Sequence, residues 1–196
     1  MEIFNFPTLQ VGELNYFLIK FTHMKKLAFI LLLSTLSSCV AIVFEEPQPK
    51  DNANIKGFPD EMIGDYSFIL VSDEKVVSIG KNYIELDDKR EYFSDSMMVR
   101  QFGNKYIVNT QNRDREDIKG KWDIFVLENK GCGMIKAKTF VLNDEQEMPA
   151  VSETYHAHEV GEDANKALII NPSQEEFIKM MDDDQVTMGL ILERLE

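Results

Sequence analysis

The chain has few of the residues that carry covalent or metal chemistry. It contains 196 residues but only two cysteines and three histidines. Two cysteines cannot build a disulfide framework. No nucleophile elbow, phosphate-cradling glycine loop or zinc-protease helix occurs in the sequence. Pairs of acidic residues are plentiful, so the sequence is compatible with a glycosidase that uses two carboxylates. Nothing in the sequence selects one pair over another.

Basic residues are also scarce. Lysine and arginine total 21 against 34 acidic residues, which gives a net charge of −13. Residues 1–38 carry a net charge of +1, from three lysines and two glutamates, which leaves −14 for residues 39–196. This balance argues against nucleic acid as a partner and against direct adhesion to anionic lipid.

Long apolar runs are rare, and one of them is informative. Met24 to Cys39 reads MKKLAFILLLSTLSSC, with two lysines before a ten-residue apolar stretch. The run resembles the signal peptide of bacterial lipoproteins. Its last four residues, Leu36-Ser37-Ser38-Cys39, resemble a lipobox. The resemblance implies that residues 24–38 are removed as a secretory signal and that Cys39 becomes acylated.

An acylated Cys39 implies a protein held in the cell envelope by its lipid. Val40 follows the cysteine and is not an aspartate, which favours the outer membrane under the enteric sorting rule. The competing interpretation is a transmembrane helix, since Leu27 to Phe44 is uncharged over eighteen residues. Residues 1–23 precede the signal and are interpreted as a misplaced start, with Met24 as the true initiator.

Cys132 has no intramolecular partner if Cys39 is a thioether. It lies in Gly131-Cys132-Gly133, which is typical of a turn. Lys130 and Lys136 are near in sequence, but a free cysteine is usually inert. The sequence therefore gives no strong reason to expect a redox role.

The remainder divides into a tether and one domain. Residues 39–58 contain Pro47, Pro49 and many polar residues, and we expect an acylated cysteine followed by a flexible tether with a reach of about 25 Å. Residues 59–196 are enough for one domain with a single core.

Most of that domain alternates between apolar and polar residues, which predicts strands. Expected strands include 66–71, 76–79, 83–86, 98–102, 105–110, 122–126, 135–141, 154–160, 167–170 and 186–194. Gly103-Asn104 suits a two-residue hairpin turn. Short strands between turn signals predict a mainly β fold, either an antiparallel sandwich or a barrel-like sheet.

One helix is expected before the last strand, over about residues 173–181. Ser173 and Glu176 have the spacing of a capping box, in which each side chain bonds the other residue's main chain. Phe177, Met180 and Met181 form an apolar stripe at helical spacing. Three aspartates follow, and their charge at the helix C-terminus favours an end there.

Gly64-Asp65-Tyr66, after a predicted helical turn at 59–64, resembles the opening of lipocalin-like barrels. Such barrels begin with glycine, any residue and an aromatic residue, and they carry a helix late in the chain. The resemblance implies a barrel and, by analogy, a small apolar ligand inside it.

Metal sites have only weak candidates. His156 and His158 would point to the same face of a strand, but zinc needs a further ligand and two solvated histidines are the simpler interpretation. Asn112, Asp114 and Glu116 alternate like the start of a calcium loop. The required glycine and final glutamate of such a loop are missing. We therefore predict no metal or cofactor.

Three functions are compatible with these features. The first is an envelope lipoprotein whose β domain binds a ligand or partner protein without catalysis. The second is an envelope-associated hydrolase that uses acidic residues. The third is a structural accessory of an envelope complex, which would expose a flat apolar patch.

Overall fold

The computed structural model describes residues 40–69, 75–142, 144–162 and 165–195. Cys39, the predicted signal at 24–38 and residues 1–23 lie outside the described residues. The described residues belong to one compact unit of the chain, which begins at Cys39. Within them, no helix is long and apolar enough to cross a membrane.

The described part of the chain is mainly β, as the alternation predicted. Its strands are β1 Val40–Phe44, β2 Gly64–Phe68, β3 Val76–Ile79, β4 Tyr83–Leu86, β5 Lys89–Tyr92, β6 Met97–Phe102, β7 Lys105–Gln111, β8 Trp122–Gly131, β9 Met134–Leu142, β10 His158–Val160, β11 Ala167–Ile170 and β12 Thr187–Arg194. Its α-helices are α1 Met148–Tyr155 and α2 Gln174–Met181, and two 3₁₀ turns span Asp60–Met62 and Glu145–Glu147.

All twelve strands belong to one sheet. Nine of them curl into a nearly closed barrel in the order β6-β7-β8-β9-β12-β2-β3-β4-β5. The remaining three lie beside β8 and β9 in the order β10-β11-β1. Neighbouring strands are antiparallel except β1 and β11, which are parallel. The prediction of an antiparallel sandwich or barrel-like sheet is confirmed with that one exception, and the barrel-like alternative is the one observed.

Most barrel strands bury one face inside, and β7, β8 and β9 bury the other face under the helices. Paired residues of neighbouring strands share a face, so alternation along each strand separates two cores. The inner core holds Phe58, Met62, Tyr66, Val77, Ile79, Met97, Val99, Tyr106, Val108, Leu127, Ile135 and Leu192. The barrel interior is thus occupied by the chain's own side chains.

The outer core lies between the sheet and the two helices. It includes Val40, Ile42, Phe44, Ile107, Trp122, Ile124, Val126, Phe140, Leu142, Met148, Val151, Leu168, Ile170, Phe177, Met180, Met181 and Val186. Phe44 packs edge-on against both Phe140 and Phe177, with ring centroids 5.0 and 5.8 Å apart. Trp122, Ile124 and Val126 are alternate residues of β8, and all three belong to this core.

The prediction of a flexible tether over residues 39–58 is wrong for the described part of that segment. Val40–Phe44 is a strand in the interior of the sheet, paired with β8, β9 and β11. Val40 is 3% exposed and Phe44 is fully buried. The five residues are all apolar, and that composition outweighed the polar, proline-containing sequence after them.

The polar residues that follow are also held in place. Asn109 of β7 is fully buried and pairs with the main chain of Gln48 in both directions. Its Oδ1 accepts from Gln48 N at 2.6 Å, and its Nδ2 donates to Gln48 O at 2.9 Å. Arg100 of β6 donates through Nη1 to the carbonyl oxygens of Pro47 and Pro49, at 2.8 and 2.9 Å. Buried main-chain groups are therefore satisfied without regular secondary structure.

Residues 54–58 then run from one open edge of the barrel toward the other. Ile55 N donates to Val99 O on β6, and Phe58 N donates to Lys81 O in the β3–β4 turn, both at 2.8 Å. Phe58 is fully buried in the inner core. We call residues 45–58 the strap, because this segment links β6 to the β3–β4 turn.

Helix α2 forms as predicted. Glu176 N donates to Ser173 Oγ at 3.3 Å, and Ser173 N donates to Glu176 Oε2 at 2.7 Å. The helix ends at Met181, where Lys138 Nζ donates to the Met181 carbonyl at 2.9 Å. That contact satisfies a terminal carbonyl and offsets the charge of the aspartates that follow.

The predicted strand at 154–160 is wrong over its first half. Helix α1 occupies Met148–Tyr155, and only His158–Val160 is a strand. Pro149 stands in the first turn of this helix, a position that proline tolerates. Helix α1 was not predicted, and it has eight residues, the same length as α2.

Candidate binding cleft at the open edge of the barrel

The β4–β5 hairpin forms one wall of a cleft at the open edge of the barrel. Asp87 and Asp88 both have positive φ, 52° and 62°. These angles suit a two-residue turn whose twist matches that of the flanking strands. Four residue pairs follow, from Leu86–Lys89 to Tyr83–Tyr92.

Strand β5 has one free edge within the described part of the chain, where it pairs only with β4. In a two-residue hairpin the pair next to the turn exchanges hydrogen bonds, and every second pair does so after it. Phe93 N donates to Asn82 O, which fits this alternation. The main-chain N–H and C=O groups of Arg90 and Tyr92 therefore face away from β4, toward the cleft.

The opposite wall consists of the ends of β6, β7 and β8 and the loop between the last two. Asn112 organises this loop. Its main-chain N–H donates to Lys121 O, its Oδ1 accepts from Arg115 N, and its Nδ2 donates to Asp123 Oδ2 at 3.2 Å. Asparagine favours such local bonds because its short amide reaches main-chain groups a few residues away.

The cleft between the walls has a volume of about 610 Å³. Its lining residues are Lys89, Arg90, Glu91, Tyr92, Ser94, Ser96, Met97, Thr110, Gln111, Asn112, Arg113, Asp114 and Asp123. Three cationic and three anionic side chains are thus mixed with hydroxyl and amide groups. The balance favours a polar ligand with both donors and acceptors over an apolar or a polyanionic one.

The charged groups of β5 are partly paired. Arg90 lies 2.6 Å from Glu85 and 4.2 Å from the Tyr83 ring centroid. Hydrogen bonds with Tyr92 and Glu85 raise the pKa of Arg90 further above its usual range. Arg90 therefore stays charged at any physiological pH and holds its side chain against β4, which leaves its main chain accessible.

Asp123 is the carboxylic acid of the cleft with a perturbed environment. Burial raises the pKa of the Asp123 carboxyl, while the Asn112 hydrogen bond and the charge of Arg115 act in the opposite direction. A perturbed acid in a cleft is a feature of many functional sites. It is also what a half-buried structural carboxylate shows when one amide supports it.

The two histidines, which were only weak metal candidates in the sequence, do not lie together on one strand. His156 ends helix α1 with a left-handed backbone, φ 50° and ψ 40°, and His158 begins β10. Both side chains are exposed. Among the described residues, no group of three histidine, cysteine or carboxylate side chains could hold a metal ion.

The other sequence candidates lie on the surface. Cys132 is a free, exposed thiol with positive φ at the β8–β9 turn. Asp114 and Glu116 are exposed, and Asn112 is committed to its own loop. Asp182 pairs with Lys105 at 2.8 Å, which holds the pKa of that carboxyl below its usual range.

Sequence reasoning missed three residues that shape the molecule: Arg100, Asn109 and Asp123. Each lies on a predicted strand and has at least one apolar residue two positions away: Phe102, Ile107 and Phe125, respectively. A polar residue in such a position is the available signal, because burial then requires a partner. The sequence did not indicate which partner, since the strap was read as a tether.

Comparison with known proteins adds no relative to this description. No protein-family model matches the chain, and no curated protein and no solved structure shows a significant match.

Proposed function

We propose that the protein is a lipoprotein of the bacterial envelope, anchored through Cys39, whose β domain binds an extended polar segment of a partner along β5. The anchor is supported by the lipobox-like end of residues 24–39 and by a buried strand that begins at Val40, the next residue. The binding function is supported by one observation above all, an edge of β5 that has no partner strand among the described residues and lies in a polar cleft.

An extended peptide can add a strand to such an edge. Main-chain hydrogen bonds then supply affinity, and alternate side chains enter the cleft and supply specificity. The outward main-chain groups of Arg90 and Tyr92 provide the pairing edge. Charged residues on an edge strand also discourage indiscriminate association, and all four β5 residues are exposed.

The test uses detergent-extracted mature protein and peptides selected on it from a random display library. Arg90→Pro removes an outward N–H, and an edge strand tolerates proline. We expect the dissociation constant of the best peptide to rise about tenfold, the equivalent of about 1.4 kcal/mol for one lost main-chain bond. Arg90→Ala keeps the N–H and should bind within about threefold of wild type.

Equal binding by wild type and Arg90→Pro would contradict strand addition. Hydrogen exchange of the β4 amides in the free variant checks that the hairpin is intact. Loss of binding in Arg90→Ala as well would show that the side chain, not the edge, carries the interaction.

A hydrolase remains the second candidate, because Asp123 combines burial with a raised pKa in a cleft that also holds Glu91 and Asp114. A raised pKa suits a general acid. Turnover of an envelope polysaccharide or peptide that is abolished by Asp123→Asn would establish this candidate. Binding without turnover, unaffected by that substitution, would favour the non-catalytic function.

A further inference from the structure

The proposed lipid would be attached directly to the folded sheet. Val40 is the second residue of the proposed mature chain, and it is already buried and paired with Leu142. A flexible tether of about twenty residues would let the domain tumble about 25 Å from the membrane. With the strand starting at Val40, the edge of the sheet near Leu142 has to stay at the membrane surface.

The strand registers identify the barrel end next to that edge. Ala41 pairs with Val141 on β9, and Thr139, two residues earlier, pairs with Phe125 on β8 and Met188 on β12. Two residues along a strand span about 7 Å. Phe125 and Met188 therefore lie on the same face as Ala41 and close to the start of β1.

This end of the barrel is rich in exposed apolar side chains. Eight large hydrophobic residues of the described chain are exposed, and five of them are at this end: Ile69, Val76, Leu86, Phe125 and Met188. We call these five the rim. Ile69 and Val76 lie where β2 ends and β3 begins, and Leu86 ends β4.

The opposite end of the barrel differs in composition. There Lys130 lies near the end of β8, Cys132 lies in the β8–β9 turn, the β6–β7 turn is Gly103-Asn104, and Asp60 and Glu61 belong to a helical turn. Exposed apolar residues at that end are Met134 and Leu195. Strand β9 joins the two ends, and its nine residues span about 26 Å.

We propose that the rim lies in the headgroup and upper acyl region of the bilayer that holds the Cys39 lipid, with the β8–β9 turn pointing away from it. This inference rests on the proposed anchor. A net charge of −14 disfavours adsorption on anionic lipid, so the acyl chains supply the affinity and the rim sets the orientation. Exposed aromatic and aliphatic side chains are suited to that depth.

Cys132 provides an internal reference for the test. Once Cys39 is a thioether, Cys132 is the only free thiol of the proposed mature chain. Full-length protein, processed in cells and reconstituted in phosphatidylethanolamine–phosphatidylglycerol vesicles, is labelled there with an environment-sensitive fluorophore. A second sample carries Cys132→Ser with Met188→Cys, and a third carries Cys132→Ser with Phe125→Cys, so that the label is at the rim.

We expect labels at 188 and 125 to be quenched by spin-labelled lipids several-fold more than the label at 132. Equal quenching at all three positions, or quenching only at 132, would overturn the orientation. A label at 188 that is shielded equally without vesicles would indicate a second copy of the chain on the rim and would also overturn it.

Intact mass separates this proposal from the anchor. If Cys39 carries no lipid, the anchor and the orientation both fail. If Cys39 carries lipid and the rim labels are not quenched, the orientation alone fails. The substituted positions are exposed, so we expect the substitutions to leave folding unchanged. Comparison of the unfolding midpoints of the three labelled proteins checks this expectation.

Discussion

At the residue scale, the amide of Asn109 and the carboxyl of Asp123 each hold a loop or an irregular segment against a strand of the sheet. Asn109 fastens the strap to β7, and Asp123 fastens the β7–β8 loop to the start of β8 through Asn112. Asn109 follows two apolar residues in β7 and is fully buried, whereas Asp123 alternates with Trp122 and Ile124 in β8 and is half-buried. A separate prediction about the free energy of unfolding therefore follows for each residue.

Asn109→Ala should lower the free energy of unfolding by about 3 kcal/mol. The substitution leaves the N–H and C=O of Gln48 buried without partners, and each such group costs about 1–3 kcal/mol. Urea unfolding of the domain in the absence of detergent measures this decrease. We expect a lower urea concentration at the midpoint and an unchanged slope of unfolding free energy against urea concentration. Asn104→Ala is the matched control, since it loses one exposed bond to Glu128 and should change stability by less than about 0.5 kcal/mol.

Asp123→Asn should stabilise the protein at neutral pH but not in acid. The folded pKa of Asp123 is raised above its unfolded value, so the folded state holds the proton more tightly. As pH rises from the unfolded pKa through the folded one, the wild type loses stability that the amide variant keeps. The difference in unfolding free energy should thus grow across that window and stay constant above it.

Asp117→Asn is the control of opposite sign. The Arg115 hydrogen bond lowers the pKa of the Asp117 carboxyl, so its contribution is present above the unfolded pKa and is lost as pH falls through the folded one. If the difference in unfolding free energy between wild type and Asp123→Asn stayed constant from pH 3 to pH 8, burial would not govern the pKa of Asp123.

At the scale of elements, sequence patterns were most informative where one local signal dominated. Strands β3, β4 and β11 have the predicted bounds, because each alternates or runs apolar between turn residues. The turn at Gly103 is two residues long and has φ of 60° at the glycine, as expected for its type. Helix α2 has its predicted cap.

The errors arose where tertiary contacts outweighed local composition. The strap is polar and contains prolines, yet Asn109 and Arg100, about fifty to sixty residues away, satisfy its main chain. Strand β5 is fully exposed and charged, so it lacks the alternation that identifies a strand. It is specified instead by the Asp87-Asp88 turn and by pairing with β4. The cleft combines β5 with the ends of β6, β7 and β8, which are distant from it in sequence, and it could not be assembled from sequence.

Ser173→Ala tests the cap of helix α2. The substitution should lower the unfolding free energy by about 1 kcal/mol, because Glu176 N–H loses its acceptor. Glu175→Ala is the comparison on the same helix, where an exposed pair with Lys179 is lost and less than about 0.5 kcal/mol is expected. Equal effects of the two changes would mean that the capping box does not contribute to stability.

At the scale of the whole molecule, the start of β1 at Val40 links anchoring to orientation. A lipid on Cys39, as proposed, would be joined to the sheet without spare chain and would hold one end of the barrel at the membrane. That end carries five of the eight large apolar residues that are exposed in the described chain. Strand β5 then rises from that end, since Lys89 begins it beside Leu86. A partner segment paired with β5 would bind next to the bilayer.

Acylation of Cys39 is the claim on which the anchor and the orientation depend. Intact mass spectrometry of the membrane-extracted protein tests it most directly, with Cys39→Ser as the control that blocks lipid attachment. The account predicts the mass of residues 39–196 plus lipid for wild type, and an unprocessed chain that retains residues 24–38 for the variant. Residues 24–38 in the mature wild-type protein, or residues 39–196 without added lipid, would contradict it.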